Sequence, residues 1–136
     1  MVASALAVLV LPGGCRQSSC VDTELTAAAV TASAEKPLTL QASLSADNKP
    51  VPGADIVFYS KVTGGGSASA GGYRIGSAKT DSQGIARFEL PLGLQHLELL
   101  SGERAIGYNA EFKPLNKIGG TSYCWGYSGG ADIHRV

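Results

Sequence analysis

The sequence predicts an all-β domain, a sandwich or barrel of six or seven strands, on three observations. Leu38, Leu40, Ala42 and Leu44 alternate with Thr39, Gln41, Ser43 and Ser45, the period of two expected of a half-buried strand. The alternation returns at 104–113, where Ile106, Tyr108, Ala110 and Phe112 are expected to face inward and Asn109, Glu111 and Lys113 outward. Turn-forming residues recur along the chain, and no segment carries a long helical period.

A chain of 136 residues suits one domain with a core of ordinary size. Its 44% hydrophobic and 16% charged residues describe a globular protein and not a disordered one. Lys and Arg total 11, as do Asp and Glu, and neither half of the chain concentrates one sign. Without a basic field there is little to draw the chain to a nucleic acid or an anionic membrane surface, so no nucleic-acid partner is expected.

The chain opens with MVASALAVLVL, uncharged and apolar, broken by Pro12-Gly13-Gly14 just before Cys15. Eleven residues are too few for a membrane-crossing helix, which needs about 20. They fit the hydrophobic region of a secretory signal, although no Lys or Arg precedes Arg16. Leu11-Pro12-Gly13-Gly14-Cys15 resembles the lipobox of bacterial lipoproteins, which makes Cys15 a lipidation candidate. The leucine stands four residues before the cysteine instead of three. Residues 1–20 are therefore read as an export segment, 21–128 as the folded domain and 129–136 as a short tail. Three cysteines fit an oxidising compartment. Lipidation of Cys15 would leave Cys20 and Cys124 as a pair; otherwise one thiol is left over, or Cys15 and Cys20 close a small ring. There is no CxxC and no Cys/His cluster with zinc spacing.

The elements follow in order. TELTAAAVTAS, rich in Thr, Val and Ala, supplies a first strand, and Glu35-Lys36-Pro37 a turn before the strand at 38–45. Asp47-Asn48-Lys49-Pro50 turns the chain into Ala54–Lys61, with Ile56 and Phe58 on one face and Val57 and Tyr59 on the other. Thr63–Gly72 (TGGGSASAGG) has no side chain able to anchor it and is expected to be a mobile loop; neither GK[ST] nor a helix follows it, so it is not read as a phosphate cradle. Tyr73–Thr80 and Ile85–Leu90 read as a hairpin closed by Asp81-Ser82-Gln83-Gly84, a type I turn sequence. Leu94–Leu100 is helically patterned but short, suited to one helical turn or a crossing loop. Pro114 ends the strand at 104–113, and Thr121–Ser128 (TSYCWGYS) reads as a last, aromatic strand.

LTLQASLSADNKPVPGADIVFY, IGSAKTDSQGIARFELP and GYNAEF together resemble bacterial immunoglobulin-like domains, the modules strung along exported adhesins and actinobacterial surface proteins. The resemblance covers roughly Thr23 to Tyr127. It implies an immunoglobulin-like antiparallel β-sandwich of about seven strands and supplies no active site. Ala42 and Ala110 stand where antibody domains carry the central cysteines, so packing between them is expected in place of that disulfide. Tyr108 becomes a candidate tyrosine corner, its hydroxyl bonded to nearby backbone. In this fold the first and last strands can run parallel. Cys20 precedes the first and Cys124 begins the last, which implies a Cys20–Cys124 disulfide.

Gly126-Tyr127-Ser128-Gly129-Gly130 matches G-x-S-x-G, with Asp132 and His134 following. A hydrolase elbow needs a strand-to-helix turn and triad partners from distant loops, so a glycine-rich terminal loop explains the match better. His96 and His134 are read as surface residues, and Asp47, Asp55 and Asp81 as turn aspartates rather than calcium ligands. Tyr123, Trp125 and Tyr127 could stack on a sugar ring, though the same spacing fits a packed strand face. The expectation is a non-enzymatic, secreted or envelope-bound module for adhesion or structural spacing, with no cofactor. Its partner would be a surface protein or glycan, with a possible lipid anchor through Cys15. The alternative is a carbohydrate-binding accessory module using the aromatic strand.

Overall fold

The computed structural model describes residues 19–33, 36–62, 72–102 and 104–136. The apolar opening segment, Cys15 and all but the last residue of the glycine-rich run 63–72 lie outside the described residues. The fold is an all-β sandwich of two sheets, with ten strands among the described residues where about seven were expected.

One sheet is built on β3 (Leu38–Ala46), whose alternation in sequence is an alternation of burial in space. Along one edge of β3 lies β1 (Glu24–Ala27), antiparallel, with Ala27 opposite Ala42. Along the other lie β4 (Lys49–Pro50) and β7 (Ile85–Leu90), also antiparallel. Asp47 and Asn48 join β3 to β4 with positive φ of 52° and 63°. That is the geometry of a tight two-residue hairpin turn, and Asp and Asn are the non-glycine residues that adopt it most readily.

The second sheet runs β2 (Val30–Ala32), β10 (Ala131–Arg135), β8 (Ala105–Phe112), β5 (Asp55–Val62), β6 (Tyr73–Lys79), with β9 (Gly126–Tyr127) also on β8. All its pairs are antiparallel except β2 with β10. Leu40, Ala42, Leu44, Ile56, Phe58, Ala86, Ala110 and Phe112 fill the space between the sheets. Phe88, half-buried, packs against Phe58 with ring centroids 6.2 Å apart. Ala42 and Ala110, expected to pack in place of a disulfide, are both buried in this core.

Several sequence expectations are corrected. Tyr73–Thr80 and Ile85–Leu90 do not form a hairpin: β6 pairs with β5, and β7 pairs with β3 in the opposite sheet. The Asp81–Gly84 turn carries the chain from one layer to the other. An added Cβ at Gly76 would meet the Phe88 ring at 2.5 Å, so glycine is what lets β6 lie on β7 face to face. The first strand splits at Ala28-Ala29, sending β1 to one sheet and β2 to the other. The tail assigned to 129–136 is mostly β10, which sits between β2 and β8; Ala131 and Ile133 point into the core. Ile106 is exposed because the register slips opposite Lys61/Val62, so Ala105 and not Ile106 enters the core. Leu94–Ser101 forms a short helix, α1. Leu94 and Leu97 are buried, Gly102 ends the helix at φ 72°, and Arg135 ties it to β10 by donating to Glu98 at 2.6 Å.

Tyr108 anchors the point where the first strand leaves its sheet. Its hydroxyl accepts from the Gln41 N–H at 3.2 Å and faces the Ala28 and Gln41 carbonyls, to which it can donate. In a continuing β1 the Ala28 carbonyl would take the Gln41 N–H directly. The phenol stands in that place instead and keeps both backbone groups paired as β1 ends. This is a bond between sheets, to residues distant in sequence, and not a corner closed on the residues just upstream. Burial pushes the Tyr108 hydroxyl pKa up, and its backbone bonds partly offset that.

Because β2 and β10 are parallel, the two ends of the described chain lie at opposite ends of the sandwich. Val21 pairs with Tyr123 at one end, and the Val136 N–H reaches the Ala32 carbonyl at the other.

Candidate functional site

Cys20 and Cys124 form a disulfide with Cα atoms 4.9 Å apart, 104 residues apart in sequence. The backbone aligns them: the Val21 N–H donates to Ser122 at 2.8 Å and the Cys124 N–H to Val21 at 2.9 Å, a parallel bridge between the two segments. Thr23 adds a side-chain bond to the Cys124 carbonyl at 3.3 Å. Cys124 does not begin the last strand, as expected; it lies in the irregular segment ahead of β9.

The three aromatic residues singled out in sequence divide. Tyr123 is half-buried, edge-on to Phe112 at 6.4 Å, and belongs to the rim of the core. Trp125 and Tyr127 are 57% and 55% exposed. Gly126 explains the difference. It is buried, and an added Cβ would come within 2.8 Å of the Thr23 hydroxyl and close to Leu25 and Phe112. With position 126 pressed inward, its neighbours at 125 and 127 are turned outward. Trp125 lies outside any strand, so the alternating aromatic strand reduces to two exposed rings.

Lys113 links these rings: its Nζ lies 5.1 Å from the Trp125 ring centre and 5.6 Å from that of Tyr127. Its approach to Glu111 is long, 3.6 Å. Glu111 stands opposite Tyr127 on β9 and Val57 on β5, and its carboxylate also accepts from the Tyr59 hydroxyl. Burial chiefly raises the Tyr59 pKa, and this acidic neighbour adds to the effect. Beside Lys113 a cleft of about 260 Å³ opens between the loop at 114–118 and the start of β5, lined in part by Asp55, Leu115, Asn116 and Lys117. Lys113 was expected to point outward, and it does. The cleft had no signal in the sequence, because it depends on how the loop after β8 folds back towards Asp55.

In the G-x-S-x-G match the serine is held by backbone groups. The Ser128 hydroxyl accepts from the Ala110 N–H at 2.8 Å and donates to the Gly129 carbonyl at 2.9 Å, while Asp132 and His134 lie exposed along β10. Asp81 accepts from the Gln83 and Ile85 N–H groups and pairs with Arg87 at 2.9 Å; those backbone bonds first, and Arg87 after them, hold its pKa below the usual carboxylate value. Asp55 pairs with Lys79 at 2.9 Å, and Asp47 sits in the β3–β4 turn. Among the described residues no group of three or more His, Cys, Asp or Glu is placed to hold a metal ion. The lipidation candidate Cys15 lies outside the described residues. The chain matches no family model, and no curated protein matches it.

Proposed function

We propose that this chain is an exported, non-enzymatic module of the bacterial immunoglobulin-like kind, serving adhesion or structural spacing at a cell surface. The observation that carries this reading is the Cys20–Cys124 disulfide, a bond that persists in oxidising compartments and is rare in the cytosol. The described residues begin and end at opposite ends of the sandwich, which suits a spacer, since one end can be tethered while the other projects. The apolar segment ahead of Cys15 would direct export, with Cys15 the point of lipid attachment. Fractionation of the native host with intact-mass measurement tests this. Expected is a processed chain outside the cytoplasmic membrane, with Cys20 and Cys124 oxidised. An unprocessed, reduced chain in the cytosol would refute it.

A second reading, a carbohydrate-binding module, is favoured by the exposed Trp125 and Tyr127 rings. The apolar face of a sugar ring can lie flat on an aromatic face while its hydroxyls reach polar groups at the rim. Binding on a glycan array that disappears in Trp125→Ala would place this reading ahead of the first.

A further inference from the structure

From the charges around the two exposed rings, we infer that Trp125, Tyr127 and the adjoining cleft bind a polysaccharide whose sugars carry carboxylate groups. The inference rests on the carbohydrate reading and names the class of sugar.

The charged residues at the rings and the cleft are Asp55, Glu111, Lys113 and Lys117, from β5, β8 and the loop after it. Two of these are acidic and two basic. Both acids already have partners. Asp55 holds Lys79 at 2.9 Å, and Glu111 takes the Tyr59 hydroxyl and faces Lys113 at long range. The basic groups nearest the rings are less engaged. Lys113 has only its distant contact with Glu111 and the two ring faces, and Lys117 has no ion-pair partner among the described residues.

The layout suits an extended chain more than a single sugar. Both rings lie within 5.6 Å of one ammonium group, and that lysine also forms the wall of the cleft. A sugar carboxylate paired with Lys113 would bring its ring alongside Trp125 and Tyr127. The next sugar along would reach the cleft, where Lys117 offers a second cation and Asn116 an amide for its hydroxyls. A neutral polysaccharide would use the rings but leave Lys117 without a counter-charge and Lys113 with only the distant Glu111. A single-stranded nucleic acid also combines stacking with negative charge. The disulfide favours a partner met outside the cell, where carboxylated polysaccharides are abundant.

The chain's only tryptophan is Trp125, so its fluorescence reports on this site alone. The oxidised protein is titrated with oligogalacturonate, with neutral cello-oligosaccharide and with a single-stranded DNA oligomer. Expected is a blue shift and quenching of Trp125 by oligogalacturonate, weakened by salt and by roughly tenfold in Lys113→Gln. Lys117→Gln is expected to weaken it as well, with the β-sheet circular dichroism of both variants unchanged. An equal response to the neutral oligosaccharide would overturn the acidic-sugar inference while leaving the carbohydrate reading standing. No response to either sugar would overturn both. A stronger response to DNA than to oligogalacturonate would overturn both in favour of nucleic acid.

Discussion

Reduction of the Cys20–Cys124 disulfide is expected to be the largest single loss of stability available without touching the core. The bond closes a loop of 104 residues, most of the 136-residue chain. Loop-closure entropy for a ring of that size contributes about 4.7 kcal/mol at 25 °C. A domain of this length is stable by about 5–15 kcal/mol in total, so reduction removes roughly 30% of that or more. Equilibrium urea denaturation with and without reductant measures it. The midpoint is expected to fall steeply on reduction, and the slope to rise because the uncrosslinked unfolded chain exposes more surface. The double variant Cys20→Ser/Cys124→Ser should match the reduced wild type, which separates loss of the cross-link from any effect of reductant. A loss below about 1 kcal/mol in both would mean that the bond does not constrain the unfolded chain in this way.

Other expected outcomes follow from named contacts. Tyr108→Phe removes the hydroxyl between Gln41 and Ala28 and should cost about 1–3 kcal/mol in urea denaturation, with the fold retained. Gly76→Ala drives a methyl into the Phe88 ring and should destabilise by about 1–3 kcal/mol, an effect that Phe88→Leu should partly relieve. Asp81 has a depressed folded-state pKa, so its contribution to stability is complete above the ordinary carboxylate pKa and is lost as pH falls through its lower folded value; in Asp81→Asn that part of the acid dependence should vanish. Under tension applied at residues 20 and 136, force passes through the disulfide to Cys124 and bypasses the loop. In single-molecule stretching the fully extended chain between the two points should measure about 40 Å when oxidised, against roughly 400 Å when reduced.

Much of the fold was legible because sandwich strands declare themselves by a period of two. The stretches containing Leu40, Phe58 and Phe112 each read as alternating strands, and the structure buries the faces that carry these three residues, Ile106 excepted. What escaped the sequence was sheet membership. The Asp81–Gly84 turn has the same residues whether it closes a hairpin or crosses between layers, and it is the strand pairing, with Gly76 seated on the Phe88 ring, that distinguishes the two. β10 was missed because ADIHR mixes charged and apolar residues, and its two inward positions are too few to stand out. Ile106 misled because alternation carried through a register slip assigns the wrong face beyond it. The disulfide was implied by the resemblance and is present. At the aromatic site, spacing alone could not show that Gly126 presses inward and turns Trp125 and Tyr127 outward.

Non-reducing peptide mapping of the protein from its native host tests most directly whether this sandwich is cross-linked through Cys20 and Cys124 in an oxidising compartment. A cross-linked peptide joining Cys20 to Cys124 is the expected result. Free thiols at both positions in freshly isolated protein would contradict it.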